Sequence, residues 1–203
     1  MRNICISGIH TDAGKSCVSA ALCYAFSYEY FKLIQAGNIT DESFVKKIVP
    51  NLKSHSPGVM LQTAASPHVG MINENIHFDG LKIKIPKPDD ILVELAGGLY
   101  CPLDDKFYMI DYIKIANLPT FLVSKNYLGS INHTILSIEA LKMKNLEILG
   151  VIFSGSKDEQ SENYLKKQFK DLHFFNLENF DETSFEKASL RLKEQIIKAR
   201  VKL

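Results

Sequence analysis

A surplus of charge of either sign is missing from this 203-residue chain: 24 Lys and Arg stand against 23 Asp and Glu, a formal balance of +1. No overall field would draw it onto a polyanion or an anionic bilayer, so the composition argues against nucleic acid and membrane partners. Apolar runs of membrane-spanning length are also missing, and the apolar start at 4–9 is too short for a signal-peptide core and is interrupted by Cys5, Ser7 and Gly8. A cytoplasmic protein is expected. Cysteine is scarce and unpatterned: Cys5, Cys17, Cys23 and Cys101 form no CxxC pair and no zinc-type spacing with histidine. That favours unpaired thiols in a reducing compartment, with core packing as their role. The chain contains no repeat and no low-complexity stretch.

What is present suits one packed domain over 1–203, since 46% of the residues are hydrophobic and the length is that of a single core. Short apolar runs at 3–7, 28–34, 90–94, 120–124 and 147–153 read as strands, and the patterns at 14–26, 131–144, 160–170 and 185–202 read as helices. Asp181 and Thr183 are candidate caps for the last of these. The stretch 53–88, broken by Pro57, Pro67, Pro86 and Pro88, reads as loops with short helices. Strands alternating with helices predict an α/β fold of the P-loop kind. Its mostly parallel sheet is covered by helices on both faces, and its ligand crevice opens at the carboxyl ends of the strands.

The most specific signal is Gly8-Ile9-His10-Thr11-Asp12-Ala13-Gly14-Lys15-Ser16, between the first strand and the first helix. Such a loop points backbone N–H groups inward and places a helix dipole behind them, which suits phosphate. Lys15 would bridge the terminal phosphates and Ser16 would offer its hydroxyl to magnesium, so ATP with Mg2+ is the expected ligand pair. Five residues rather than the usual four separate Gly8 from Gly14. The bland alternative is a glycine turn with a solvated lysine, and the flanking strand and helix argue against it.

The longer loop resembles the phosphate loop of dethiobiotin synthetases, which typically read Gly-Thr-Asp-Thr-Glu-Val-Gly-Lys-Thr, with His10 and Ile9 departing from it. Further blocks follow in the same order. Phe31-Lys32-Leu33-Ile34-Gln35-Ala36-Gly37 is similar to Tyr-Lys-Pro-Val-x-Ser/Thr-Gly, although Ala36 lacks the hydroxyl, and Ser66-Pro67-His68 matches Ser-Pro-His. Val93-Glu94-Leu95-Ala96-Gly97-Gly98 resembles Val-Glu-Gly-Ala-Gly-Gly, and Gly129-Ser130-Ile131-Asn132-His133-Thr134 resembles Gly-x-Ile-Asn-His-x. The motif blocks extend to about residue 155.

The resemblance implies a homodimer that closes the ureido ring of dethiobiotin from 7,8-diaminononanoate, carbon dioxide (as bicarbonate) and ATP with magnesium. It implies Lys15 and Lys32 as catalytic cations. It places Thr11, Asp12, Ala13, Gly14, Lys15, Ser16 and Cys17 around the nucleotide. Thr11, Asp12, Lys32, Gly97, Ser130, Ile131 and Asn132 fall on the substrate, the last three at a helix start that takes the substrate carboxylate, and Ser16, Asp41 and Glu94 on the metal. Asp41, after Thr40, could instead be an ordinary helix cap. Asp12 could simply form a turn, Lys32 could be solvated, and neither His68 nor His133 has an assigned role.

The rival class is a partitioning or maturation ATPase with a deviant P-loop. That loop carries a second lysine five residues before Lys15, where this chain has His10. A third class is a nucleotide-binding module without turnover. The family's adenine motifs, an Asn-Asp pair and a Gly-x-x-Pro turn, are replaced by Ser154-Gly155-Ser156 and Phe175-Asn176-Leu177-Glu178, which predicts weak selection of the base.

Overall fold

The computed structural model describes residues 2–87 and 90–203; Pro88, one of the expected breaks, lies outside the described residues. In chain order the strands are β1 (Ile4–Gly8), β2 (Glu29–Lys32), β3 (Ile34–Ala36), β4 (Ser54–His55), β5 (Val59–Leu61), β6 (Ile91–Gly98), β7 (Thr120–Ser124), β8 (Ile148–Ser154) and β9 (Phe174–Leu177). The helices are α1 (Lys15–Phe26), α2 (Asp41–Ile48), α3 (Pro67–Glu74), α4 (Met109–Ile115), α5 (Ser130–Met143), α6 (Glu159–Gln168) and α7 (Phe185–Lys198).

Seven strands pair in the order β4-β2-β6-β1-β7-β8-β9, and β3 with β5 makes a separate small sheet. Every one of these pairings is parallel. Central strands enclosed by crossover helices have no solvent face, which is why β1 and β7 are buried at every position and show no alternation of exposed residues. From β1 the chain crosses to β2 on the far side of β6, while β7 lies on β1's other flank. The sheet therefore reverses its strand order beside β1, and the crevice at that reversal lies at the carboxyl end of β1.

Several boundaries differ from expectation for identifiable reasons. The run 28–34 is two strands, because the chain changes partner at Leu33: its N–H still donates to Glu94 O (3.0 Å), while its carbonyl accepts from Val59 N–H (3.1 Å). The run 90–94 continues through the glycines as β6, whose Gly98 pairs with Gly8. The stretch 53–88 holds the expected short helix, α3, but also two short strands, β4 and β5, that were not expected. Strand β9 and helices α2 and α4 were not anticipated. Helix α7 stops at Lys198, and Ser184 is its cap residue, with Asp181 bracing the approach by accepting from the N–H groups of Thr183 (3.0 Å) and Ser184 (2.9 Å). Among the described residues no helix is long and apolar enough to cross a membrane.

Candidate active site

The phosphate loop leaves β1 and enters α1 through Gly14, whose φ of 93° lies in the left-handed region. A Cβ there would also stand 2.4 Å from Ser154 Oγ at the end of β8, so both conformation and space require glycine. Ala13 is buried beneath the loop. Lys15 is only 4% exposed, and its ammonium lies across its own loop, donating to His10 O (3.0 Å) and Thr11 O (2.9 Å). Burial first, and then repulsion from Lys32, holds its pKa down to about 8. His10 Nδ1 accepts from Asp12 N–H (3.0 Å), the job a short polar side chain does in an Asx turn. Burial, reinforced by the positive charge of Lys15, lowers the His10 pKa and so preserves that acceptor.

Strands β2 and β6 bring Lys32 and Glu94 into register as direct neighbours. Lys32 Nζ is 2.7 Å from Glu94 Oε1 and 2.7 Å from Asp41 Oδ2. Glu94 sits inside β6 rather than at its end, and is fully buried. A buried carboxylate is tolerable only when its lone pairs are used. Here Oε2 accepts from Ser19 (2.6 Å) and Tyr30 (3.2 Å), and Oε1 from Ser16 (2.9 Å) and Lys32 (2.7 Å). Asp41 is not the cap of α2: Thr40 Oγ1 takes that part by accepting from Ser43 N–H (3.1 Å). The Asp41 carboxylate is thereby released to accept from Ser16 Oγ (2.6 Å) and to pair with Lys32. Burial opposes the charge on Asp41, but Lys32 outweighs it and lowers the pKa; for Lys32, burial is likewise outweighed, by Glu94 and then Asp41, and the pKa rises.

These groups meet in one cavity of about 720 Å³. Thr11, Asp12, Gly14, Lys15, Ser16 and Cys17 form one part of its lining, Lys32, Asp41, Glu94 and Gly97 another. Ser66, to which no sequence argument assigned a role, lines it as well, as does Cys101, expected only as a core-packing thiol. Ser130 and Ile131 face a different cavity of about 520 Å³, and Asn132 is exposed on α5. The Ser130 amide is occupied by Tyr127 O (2.9 Å), which leaves the amides of Ile131 and Asn132 as the ones suited to an anion at this helix start. The two regions touch through side chains. His10 meets Tyr127 edge to face, with ring centroids 4.9 Å apart, and the Tyr127 hydroxyl is hydrogen-bonded to His133 Nδ1.

Beyond Ser154 lies the segment expected near the nucleotide base. The amides here are already engaged: Asn176 Nδ2 donates to Glu162 Oε2 (2.9 Å), and Asn126, which follows β7, donates through Nδ2 to Glu162 Oε1 (3.1 Å) and Ser156 O (3.0 Å). Glu162 is fully buried, so these bonds satisfy a charge that could not be left bare.

The similarity to known proteins runs past residue 155. A family model described as an AAA domain matches residues 2–187. The ATP-dependent dethiobiotin synthetase BioD of Campylobacter jejuni subsp. jejuni serotype O:2 is 49% identical over 181 residues, covering 89% of this chain and 90% of the relative. The enzyme of the same name from Christiangramia forsetii is 42% identical over 167 residues, 80% of each chain. Among solved structures, a ParA family ATPase from Chlorobium tepidum TLS superposes with a TM-score of 0.54, at 13% identity over 99% of this chain and 94% of the other, a likeness of fold alone. Identity at this level over most of both chains, together with a phosphate loop and a buried Lys-carboxylate cluster in one cavity, places the chain in the ATP-dependent dethiobiotin synthetase family.

Proposed function

We propose that the chain, acting as one folded unit, closes the ureido ring of dethiobiotin from 7,8-diaminononanoate, carbon dioxide and ATP. The observation that carries this reading is the convergence of Lys15 and Lys32, one from the phosphate loop and one from β2, on a single cavity that also holds Ser16, Asp41 and Glu94. The chemistry passes through a carbamate, then a carbamic-phosphoric anhydride, then ring closure. Each stage builds charge on oxygen, so positioned cations are what the protein must supply. Lys15 is held on loop carbonyls that a terminal phosphate would replace. Lys32 faces the same space, fixed in direction by its two carboxylates.

The donor set fits magnesium, which prefers hard oxygen: Ser16 Oγ, Asp41 and Glu94 would hold it, where it would neutralise phosphate charge. The exposed Asp12 carboxylate suits an ammonium of the diamine. The start of α5 lines a cavity separate from that of Lys15 and Lys32, and we read it as the carboxylate site of a homodimer. A cytoplasmic location fits this chemistry. The test is dethiobiotin formation followed by mass spectrometry, with ADP release expected to require both diamine and bicarbonate. Equal ATP hydrolysis without diamine, and no dethiobiotin, refutes the reading.

A further inference from the structure

Ser66 occupies the N-cap position of α3, where a serine hydroxyl ordinarily accepts a first-turn backbone N–H. Its carbonyl does receive Val69 N–H (2.9 Å) and Gly70 N–H (3.1 Å), but among the described residues its side chain makes no capping bond. The hydroxyl turns instead to His68 Nδ1 at 2.9 Å, with Cys101 Sγ 4.0 Å away. Ser66 lines the cavity that holds Lys15 and Lys32. A serine that leaves its helix uncapped, lines the cavity of two phosphate-directed cations and engages an imidazole is arranged for proton transfer.

The ring-closing step, on the reaction proposed above, creates a proton that must go somewhere. The second amine attacks the carbonyl carbon of the anhydride, the new C–N bond forms, and the C–O bond to phosphate breaks with its electron pair leaving on phosphate. The nitrogen must then shed one proton. Asp41 and Glu94 are poorly placed to take it, since Lys32 and Ser16 already engage both. We propose that Ser66 and His68 form the relay for this proton. Ser66 Oγ accepts it from the amine while its own proton passes to His68 Nδ1, and the resulting imidazolium returns it to solvent. Ser66 is the catalytic residue of the pair, and His68 acts through it.

The test uses the whole protein with ATP, diaminononanoate and bicarbonate, and quantifies ADP and dethiobiotin in the same quenched samples. Ser66→Ala and His68→Gln should each slow dethiobiotin formation about a hundredfold, the scale of a lost general base. Because the anhydride still forms and is then lost to water, dethiobiotin per ADP should fall to about one in ten or less, and Ser66→Thr should restore it by returning the hydroxyl. A ratio that stays at the wild-type value in both variants, whether or not the rates fall, overturns the relay. His68→Gln decides alone if Ser66→Ala does not fold. A wild type that makes no dethiobiotin refutes the reaction and the relay together, whereas wild-type product with unchanged ratios in the variants refutes only the relay.

Discussion

Changing the nucleotide base should cost this enzyme little. Strong rejection of a wrong base requires side-chain amides that are left unpaired when the wrong base binds. Here the amides of Asn126 and Asn176 are both bonded to the buried Glu162, and Gln195 is spent on Asn176, its Oε1 accepting the Asn176 N–H (2.9 Å) and its Nε2 donating to the Asn176 carbonyl (2.9 Å). Recruiting either amide to adenine would strip a donor from a fully buried carboxylate. What remains is discrimination by shape and stray contacts. Losing one or two neutral hydrogen bonds removes about 1 to 2 kcal/mol, and a tenfold ratio corresponds to about 1.4 kcal/mol. GTP and CTP should therefore support dethiobiotin formation with kcat/KM within about tenfold of ATP. Asn176→Ala should leave the ATP to GTP ratio within about twofold of wild type, because the amide it removes reads no base. The assay compares product formation across the three nucleotides at saturating diamine and bicarbonate. A preference for ATP above about a thousandfold would show that another group reads adenine, and a collapse of that preference in Asn176→Ala would show which.

Three further outcomes follow from the same geometry. Lys32→Ala and Lys15→Ala should each lower turnover at least about a hundredfold while circular dichroism reports a retained fold; near-normal turnover in Lys32→Ala would remove that residue from the chemistry. Gly14→Ala combines a left-handed φ with a Cβ 2.4 Å from Ser154 Oγ, so it should lower thermal stability by at least about 1 to 2 kcal/mol and weaken ATP binding; an unchanged melting temperature contradicts the packing described. His10 is held below the ordinary histidine pKa, so its acceptor role is present above that ordinary value and is lost as the pH falls through the lowered one. The Asp12 amide, which faces His10 within a setting that includes Lys15, Lys125 and His133, should shift in 15N spectra as the pH falls from about 7 to about 5. The shift should vanish in His10→Asn, whose amide oxygen accepts without titrating.

How much of this was readable beforehand depended on whether the cause was local. Buried parallel strands declare themselves, and β7 occupies the run 120–124 that its apolar residues marked. The phosphate loop is likewise a contiguous signal with its strand and helix attached. Strand β9 was missed because it is four residues long at the sheet edge and half-buried in alternation. The division of 28–34 at Leu33 carries no glycine or proline; it follows from a change of hydrogen-bonding partner that only the fold supplies. In the site, Lys32, Asp41 and Glu94 could each be singled out, but their mutual pairing could not, since Lys32 and Glu94 are 62 positions apart. The contact of His10 with Tyr127 leaves no trace in either segment. Ser66 was visible as part of a motif, yet its refusal to cap α3 is a matter of one side-chain rotation.

The small sheet of β3 and β5 gives the cavity a divided ancestry. Lys32 and Glu94 stand on the main sheet and Lys15 follows its strand β1, whereas the stretch 64–67, with Ser66, hangs from an excursion that leaves after β4 and rejoins at β6. Lengthening, shortening or grafting that excursion alters what the cavity admits without moving the apparatus that handles phosphate. Remodelling toward diamines of other chain length should begin there, because the excursion can be redrawn as a cassette while β1, β2 and β6 keep their mutual register.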